Sequence, residues 1–261
     1  MNRRKLLHAT ALLFGATLLF SAGSTSAAGT ANPWPKDRSP GLSALSTSAD
    51  QGRYAFVFFW KENNDATQRM QGVLQSALAK TKNRADVVTV SVVDPTEQAT
   101  VKAFGVERAP FPLVVAVAPN GAITKAWPLQ LRPEQLSEGF VSQGTAKCIK
   151  GLQDRKLVLL CVQNDSTGHN LTSTQAAEGF RTDARFAAAT EVITLDPADP
   201  SESIFMRDLA VNPKTADAVT ILLAPPGRPV ARFVGAVSTD EIVTKVTAAQ
   251  SGCCPGGQCG P

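Results

Sequence analysis

Tyr54-Ala-Phe-Val-Phe-Phe-Trp60 is an uninterrupted apolar run. A short run without polar alternation is typical of a strand that is buried on both faces of a mostly parallel sheet. The polar stretch Lys61-Glu-Asn-Asn-Asp65 follows it, and a helical pattern then extends from Ala66 to Lys80. These residues predict a central strand, a turn at its carboxyl end, and a helix that returns across the sheet.

A second copy of this pattern begins about 100 residues later, a usual domain size. Arg155-Lys-Leu-Val-Leu-Leu-Cys-Val162 repeats the run that starts at Arg53 (155 − 53 = 102). Further pairs are Asp94-Pro95 with Asp196-Pro197 (196 − 94 = 102), Ala118-Pro-Asn-Gly121 with Ala224-Pro-Pro-Gly227 (224 − 118 = 106), and Trp127 with Phe233 (233 − 127 = 106). One series of offsets, shifted once by a short insertion, predicts a tandem duplication.

The two units have the same predicted element order: strand, helix, strand, helix, strand, turn, strand, helix. The predicted ranges are 54–60, 66–80, 87–93, 96–104, 113–118, 122–127 and 133–142 in the first unit, and 156–162, 173–189, 191–195, 201–209, 218–224, 229–234 and 239–249 in the second. Pro-Asn-Gly and Pro-Pro-Gly suit tight hairpin turns, because proline fixes φ and glycine accepts a positive φ. Residues 144–154 are expected to be a short linker, with a groove between the two units.

A parallel βαβ half followed by a hairpin and a covering helix resembles the thioredoxin fold, over nearly all of residues 50–250. The resemblance implies an α/β chain with two tandem thioredoxin-like domains, each a central mixed sheet flanked by helices. The expected organisation is a signal peptide (1–28), an extended N-terminal segment (29–49), the two domains (50–145 and 146–250), and an extended tail rich in cysteine, glycine and proline (251–261).

The redox pair of the thioredoxin family is missing from both units. The resemblance places a Cys-x-x-Cys pair on the turn into the first helix, but Lys61–Asp65 and Gln163–Gly168 contain no cysteine. The chemistry requires a low-pKa thiolate at a helix N-terminus and a resolving thiol beside it. Ordinary dithiol exchange at either turn is therefore excluded. The resemblance also implies a cis-proline before the third strand, for which Pro110 and Pro112 are candidates.

Two other polar residues, Ser166 and His169, lie where a catalytic side chain could stand. Ser166 is the one serine at the second turn. A serine in a turn is more often a helix cap than a catalytic residue. His169 would need a nucleophile and a carboxylate to form a triad, so a solvated surface histidine is the simpler prediction. Gly256-Gly257 neither follows a strand nor opens a helix, so it does not indicate a phosphate loop.

The N-terminus has the three parts of an export signal. Met1-Asn-Arg-Arg-Lys5 is basic, Leu6 to Phe20 is largely apolar, and small residues lead to expected cleavage near Ala28. The apolar part is shorter than the about 20 residues that span a bilayer. Arg3-Arg4 resembles a twin-arginine signal. We therefore expect a periplasmic or extracellular protein without a membrane anchor after cleavage.

Removal of the signal leaves a nearly neutral chain. It keeps 23 basic residues (26 − 3 = 23) and 22 acidic residues. This balance gives no argument for nucleic acid or an anionic membrane as a partner. An unknown protein partner stays open.

The C-terminal tail holds Cys253, Cys254 and Cys259 among glycines and prolines. Three interpretations are open: a labile disulfide that acts as a redox arm, a thiolate site for a soft ion such as Cu(I) or zinc, and a structural disulfide to the body, perhaps with Cys148 as its partner. Disulfides are favoured over a metal because an exported protein meets oxidising conditions. Cys161 lies in a strand run and is predicted to be a buried, inert thiol. No other cofactor is expected.

Two functions fit these residues. The first is a non-catalytic binding or scaffold module that holds a partner in the groove between the domains or on the exposed hairpin side. The second is a thiol–disulfide carrier or thiolate metal-binding protein that acts through the tail. Loss of both redox pairs favours the first, and the clustering of cysteines in the tail favours the second.

Overall fold

The computed structural model describes residues 32–36, 38–81 and 83–251, which belong to one compact unit of the chain. They form two lobes of the same architecture, residues 40–139 and 143–251, each with a four-stranded mixed sheet and flanking helices. In the described part of the chain, no helix is long and apolar enough to cross a membrane. The predicted signal peptide and the tail cysteines lie outside the described residues.

The first lobe contains three helices and four strands, which are α1 (Pro40–Asp50), β1 (Tyr54–Trp60), α2 (Asp65–Leu78), β2 (Ala85–Ser91), α3 (Gln98–Phe104), β3 (Leu113–Val117) and β4 (Ile123–Pro128). The second lobe contains α4 (Gln143–Gln153), β5 (Leu157–Val162), α5 (Asn170–Thr182), β6 (Thr190–Leu195), α6 (Ser203–Asp208), β7 (Val219–Ala224), β8 (Arg228–Val234) and α7 (Thr239–Ser251). Short 3₁₀ helices lie at Ala79–Thr81, Pro95–Glu97, Pro133–Gly139, Ala187–Ala189 and Pro200–Glu202.

The two sheets have matching strand orders, β2-β1-β3-β4 and β6-β5-β7-β8. In each sheet the first pair is parallel and the two other pairs are antiparallel. The central strand β1 is buried on both faces, as its apolar run predicts. Phe56 and Phe58 pack in the cluster that contains α2, and Phe59 packs in the cluster that contains α1.

The segment before β1 corrects one expectation. Residues 29–49 were expected to be extended, but α1 starts at Pro40. The Ser39 hydroxyl accepts a hydrogen bond from the Leu42 N–H (3.3 Å), and proline occupies the first turn, where its missing N–H costs nothing. Leu42 and Leu45 are buried three residues apart on one helix face. The serine- and alanine-rich composition around them conceals this pattern.

The segment expected to join the two units, residues 144–154, is mostly helical, since residues 143–153 form α4. Ala146 packs against Ala118 and Ala122 of the first lobe, whereas Cys148 and Leu152 belong to the core of the second lobe. The connection between the lobes is therefore a helix that packs against both of them.

The structure changes part of the alignment between the lobes. Asp94 caps the 3₁₀ helix after β2 by accepting from the Thr96 N–H (2.8 Å), and Asp199 does the same with the Ser201 N–H (2.8 Å). Asp199, at an offset of 105 (199 − 94 = 105), is the counterpart of Asp94. The expected counterpart, Asp196, lies in a preceding turn. Because Asp-Pro occurs twice here, the sequence does not distinguish the two.

A buried glutamate follows each capping aspartate. Glu97 accepts hydrogen bonds from the Gly41 N–H (3.1 and 3.0 Å) and from the Thr100 hydroxyl (2.8 Å). In the second lobe, Glu202 accepts from the Thr145 hydroxyl (2.7 Å). Each carboxylate thus meets the positive end of the helix that opens its lobe.

A substitution at Gly41 tests the contact between Glu97 and the first turn of α1. An added Cβ would lie 2.7 Å from Thr100 Oγ1 and 2.8 Å from Glu97 Oε2. Gly41→Ala should therefore lower the free energy of unfolding by about 1–3 kcal/mol through overpacking. The matched control is Gly72→Ala in α2, where a Cβ meets nothing within 4 Å. That variant should be more stable than the parent by roughly 0.5–1 kcal/mol. Urea unfolding followed by tryptophan fluorescence measures both, and equal effects would contradict the close contact at Gly41.

Candidate functional site

The turn after β1 is occupied by helix-capping groups. Asn64 caps α2, with its Oδ1 accepting from the Thr67 N–H (3.1 Å). The Thr67 hydroxyl donates to the Glu62 carbonyl (2.7 Å). Asn64 and Thr67 stand at the N-cap and the third helical position, which is the spacing of a Cys-x-x-Cys pair. These polar side chains stabilise the helix start without supplying a nucleophilic thiol.

The turn after β5 is organised by Asn164. Its Oδ1 accepts from both the Ser166 N–H (3.0 Å) and the Ser166 hydroxyl (2.8 Å). The Thr167 hydroxyl and the Asn170 amide donate to the Asn164 carbonyl, at 2.9 and 2.7 Å. Ser166 therefore donates its hydroxyl within the turn, and His169 rather than Ser166 stands at the N-cap of α5.

His169 pairs with Asp217, a contact that the sequence analysis missed. His169 Nδ1 and Asp217 Oδ1 are 2.9 Å apart, with side chains 52% and 41% exposed. His169 occupies the N-cap position of α5, and Asp217 precedes β7. Within the described part of the chain, no side-chain hydroxyl or thiol is recorded in a hydrogen bond with the imidazole. The pair consequently has a base and an orienting carboxylate, but no bonded nucleophile.

The loop before β3 contains one cis peptide bond, Phe111–Pro112, so Pro112 rather than Pro110 follows it. The Pro112 carbonyl accepts from the Leu129 N–H (2.7 Å), which ties the loop to the end of β4. At the corresponding place before β7 the second lobe has Asp217 and Ala218, without a proline.

The two described cysteines are buried and unpaired. Cys148 in α4 is 1% exposed, and burial together with the carboxylates of Glu191 and Glu202 raises the pKa of its thiol to about 12. Burial likewise raises the pKa of Cys161 in β5 to about 11. Cys253, Cys254 and Cys259 lie outside the described residues, so a disulfide from the tail to Cys148 stays a prediction. No group of three or more metal-ligating side chains occurs among the residues that the structure describes.

An open groove lies at the carboxyl edge of the first lobe, beside the parallel pair β1–β2. Its volume is about 520 Å³, and it runs between the turn after β1, helix α3 and the loop before β3. Val92, Ala99 and Phe111 give it apolar walls. Its charged lining residues are Lys61, Lys102, Glu107 and Arg108, all exposed. The sequence does not predict the groove, because these residues come from separate segments and form no local motif.

Solved structures similar to this chain are thioredoxin-fold proteins. Trxlp from Edwardsiella tarda matches with 15% identity and a TM-score of 0.31, over 37% of this chain and 89% of that chain. Thioredoxin O2 from Arabidopsis thaliana in its oxidised state matches with 14% identity and a TM-score of 0.31, over 36% of this chain and 78% of that chain. Human ERp44 in a zinc-bound form matches with 13% identity and a TM-score of 0.32, over 81% of this chain and 59% of that chain. No protein-family model matches the chain, and no curated protein matches it significantly.

The strand order and strand directions themselves define the architecture of each lobe. Both lobes have a four-stranded mixed sheet and flanking helices, an architecture consistent with the thioredoxin fold. The turn after the central strand contains hydrogen-bonded polar side chains in each lobe. A basic groove adjoins it in the first lobe, and a histidine–aspartate pair lies beside it in the second.

The buried thiols predict a specific pattern of alkylation. In a variant that ends at Ser251, Cys148 and Cys161 are the remaining cysteines. Because the pKa of each thiol is raised, both stay protonated at pH 8, with a thiolate fraction of about 10⁻³ or less. Native protein should gain no iodoacetamide adduct by intact mass, whereas the urea-unfolded protein should gain two. An adduct on the native variant would contradict the burial of these thiols.

Proposed function

We propose that this chain is an exported, tandem thioredoxin-like protein that binds a partner without catalysing dithiol exchange. The observation that carries the proposal is that residues other than cysteine occupy both helix starts. Asn64 and Thr67 stand where a redox pair would stand in the first lobe, and His169 and Thr172 stand there in the second. The side chains of Asn64, Thr67 and Thr172 make hydrogen bonds within the turns, and His169 pairs with Asp217 before β7.

The state of the remaining thiols supports a non-catalytic body. A redox thiol must be accessible and must ionise near neutral pH. Cys148 and Cys161 are buried, and both have a raised pKa. Any thiol chemistry of this protein would therefore come from the tail.

Duplication of an ancestral unit accounts for the matching lobes. The leading helices are offset by 103 residues (143 − 40 = 103), the capping aspartates by 105, and the last two strands by 106. A stepwise increase fits one repeated unit with small insertions. Export, by the general or the twin-arginine route, is proposed from the N-terminal sequence alone.

A second candidate function rests on the tail. Three of the five cysteines fall at positions 253, 254 and 259. Such a cluster would serve as a labile dithiol or as a thiolate site for a soft metal ion. Native intact mass of the full chain, repeated after denaturation and alkylation, tests it: a metal adduct, or a disulfide that opens with mild reductant, would support a function in the tail, and unreactive cysteines would exclude one.

The non-catalytic proposal predicts a gain of activity on restoring the pair. A variant ending at Ser251 should not accelerate the reduction of insulin by dithiothreitol, followed as turbidity. The same variant with Asn64→Cys and Thr67→Cys should accelerate it, because a helix N-terminus lowers the pKa of a thiol placed there. The single variant Asn64→Cys is the matched control and should lack turnover.

Two outcomes would contradict this account. Acceleration by the parent without its tail would show that the described lobes catalyse exchange, and the binding proposal would fail. A folded double variant that stays inactive would show that the turn does not hold the geometry that the topology suggests. Thermal unfolding of each variant establishes that it is folded.

A further inference from the structure

We propose that the basic groove of the first lobe is a docking site for an acidic, extended segment of a partner protein. This inference rests on the proposed binding function and names the chemistry of the partner. The groove is formed by Lys61, Val93, Lys102, Arg108 and Phe111, together with neighbouring apolar residues.

The charges of the groove are unbalanced. Lys61, Lys102 and Arg108 are exposed, and none of them has an ion-pair partner among the described residues. Glu107 is the single acidic residue that lines the groove. Three cations on three separate segments suit several carboxylates spaced along a chain better than they suit one small anion.

The groove also offers apolar surface. Strand β2 ends at Ser91, so Val93 lies beyond the sheet and is 62% exposed. Val92 and Phe111 are partly buried and pack against the core of the first lobe. A large exposed valine next to partly covered apolar side chains indicates a contact for an apolar residue of the partner, set between the carboxylates.

The second lobe shows that this charge is a property of one lobe and not of the fold. The counterpart of Lys102 is Arg207, at the same offset of 105 as the capping aspartates (207 − 102 = 105). Arg207 has an ion-pair partner in the neighbouring Asp208 (3.2 Å), within α6. Lys102 has no such neighbour, which leaves it available for an external carboxylate.

The chain itself does not provide a suitable occupant at its ends. Residues 1–31 and 252–261 contain no aspartate or glutamate. These two terminal segments would therefore bring no acidic side chains to the three cations. The charge complementarity points to a different, acidic protein.

Fluorescence anisotropy with a defined probe tests the site in the full chain. The probe is a fluorescein-labelled peptide, Asp-Leu-Glu-Asp-Leu-Glu, and its comparison peptide carries Asn and Gln in place of the acids. The acidic probe should bind, the neutral peptide should bind at least roughly tenfold more weakly, and Lys102→Glu should weaken the acidic probe by a similar factor. Lys245→Glu on α7 is the matched control, since it makes the same charge change on an exposed lysine outside the groove, and it should leave affinity within about twofold.

Four outcomes of this experiment decide whether the groove is the docking site. Equal weakening by Lys102→Glu and Lys245→Glu would overturn the groove, because the attraction would then be one of overall charge. No binding of the acidic probe to the parent chain would overturn it as well. Displacement of the probe by inorganic phosphate at similar concentrations would assign a small-anion site instead. Loss of binding on Lys102→Glu and Arg108→Glu, in variants with unchanged thermal unfolding, supports the proposal. None of these results depends on the insulin assay, so failure of the docking site and failure of the non-catalytic function are distinguished.

Discussion

A buried carboxylate at the N-terminus of a helix joins the parts of each lobe. Glu97 is buried and has no lysine or arginine partner among the described residues, and its carboxyl oxygens accept hydrogen bonds from the Gly41 N–H in the first turn of α1 and from the Thr100 hydroxyl. Glu202 has the same place against α4. In both lobes a glycine is the second residue of the helix, because an added Cβ would come within 2.8 Å of the carboxylate oxygen at Gly41 and within 2.5 Å at Gly144.

Helix α4, whose first turn meets Glu202, contacts both lobes. Its second-lobe side is fixed by Glu202 and by Cys148 and Leu152 in the core. Its other side meets the first-lobe hairpin, where the Gln153 amide donates to the Ile123 carbonyl (2.7 Å) and accepts from the Ile123 N–H (3.0 Å). Asn120 donates to the Ala146 carbonyl (2.9 Å). Side-chain hydrogen bonds to backbone groups and packed alanines therefore join α4 to the first lobe.

The carboxyl edges of the two sheets differ in charge. In the second lobe, His169 pairs with Asp217 and Arg207 pairs with Asp208, so the polar groups satisfy one another. In the first lobe, Lys61, Lys102 and Arg108 face a groove without such partners. The fold supplies two equivalent places for function, and the side chains, not the topology, decide what each place recognises.

The sequence by itself determined the central strand, the two glycine-containing hairpin turns and the absence of thiols from both helix starts. Each of these depends on residues that are adjacent in the chain: an apolar run, a Pro-x-Gly turn, a missing Cys-x-x-Cys pair. The tertiary structure alone decided that residues 143–153 are a shared helix, that Asp199 rather than Asp196 matches Asp94, and that His169 meets Asp217. It also brought Lys61 and Lys102 to one groove. The physical reason is the crossover between parallel strands, which gathers the turns that follow separate strands at a single edge of the sheet. The composition of each segment alone does not indicate that these turns lie close together.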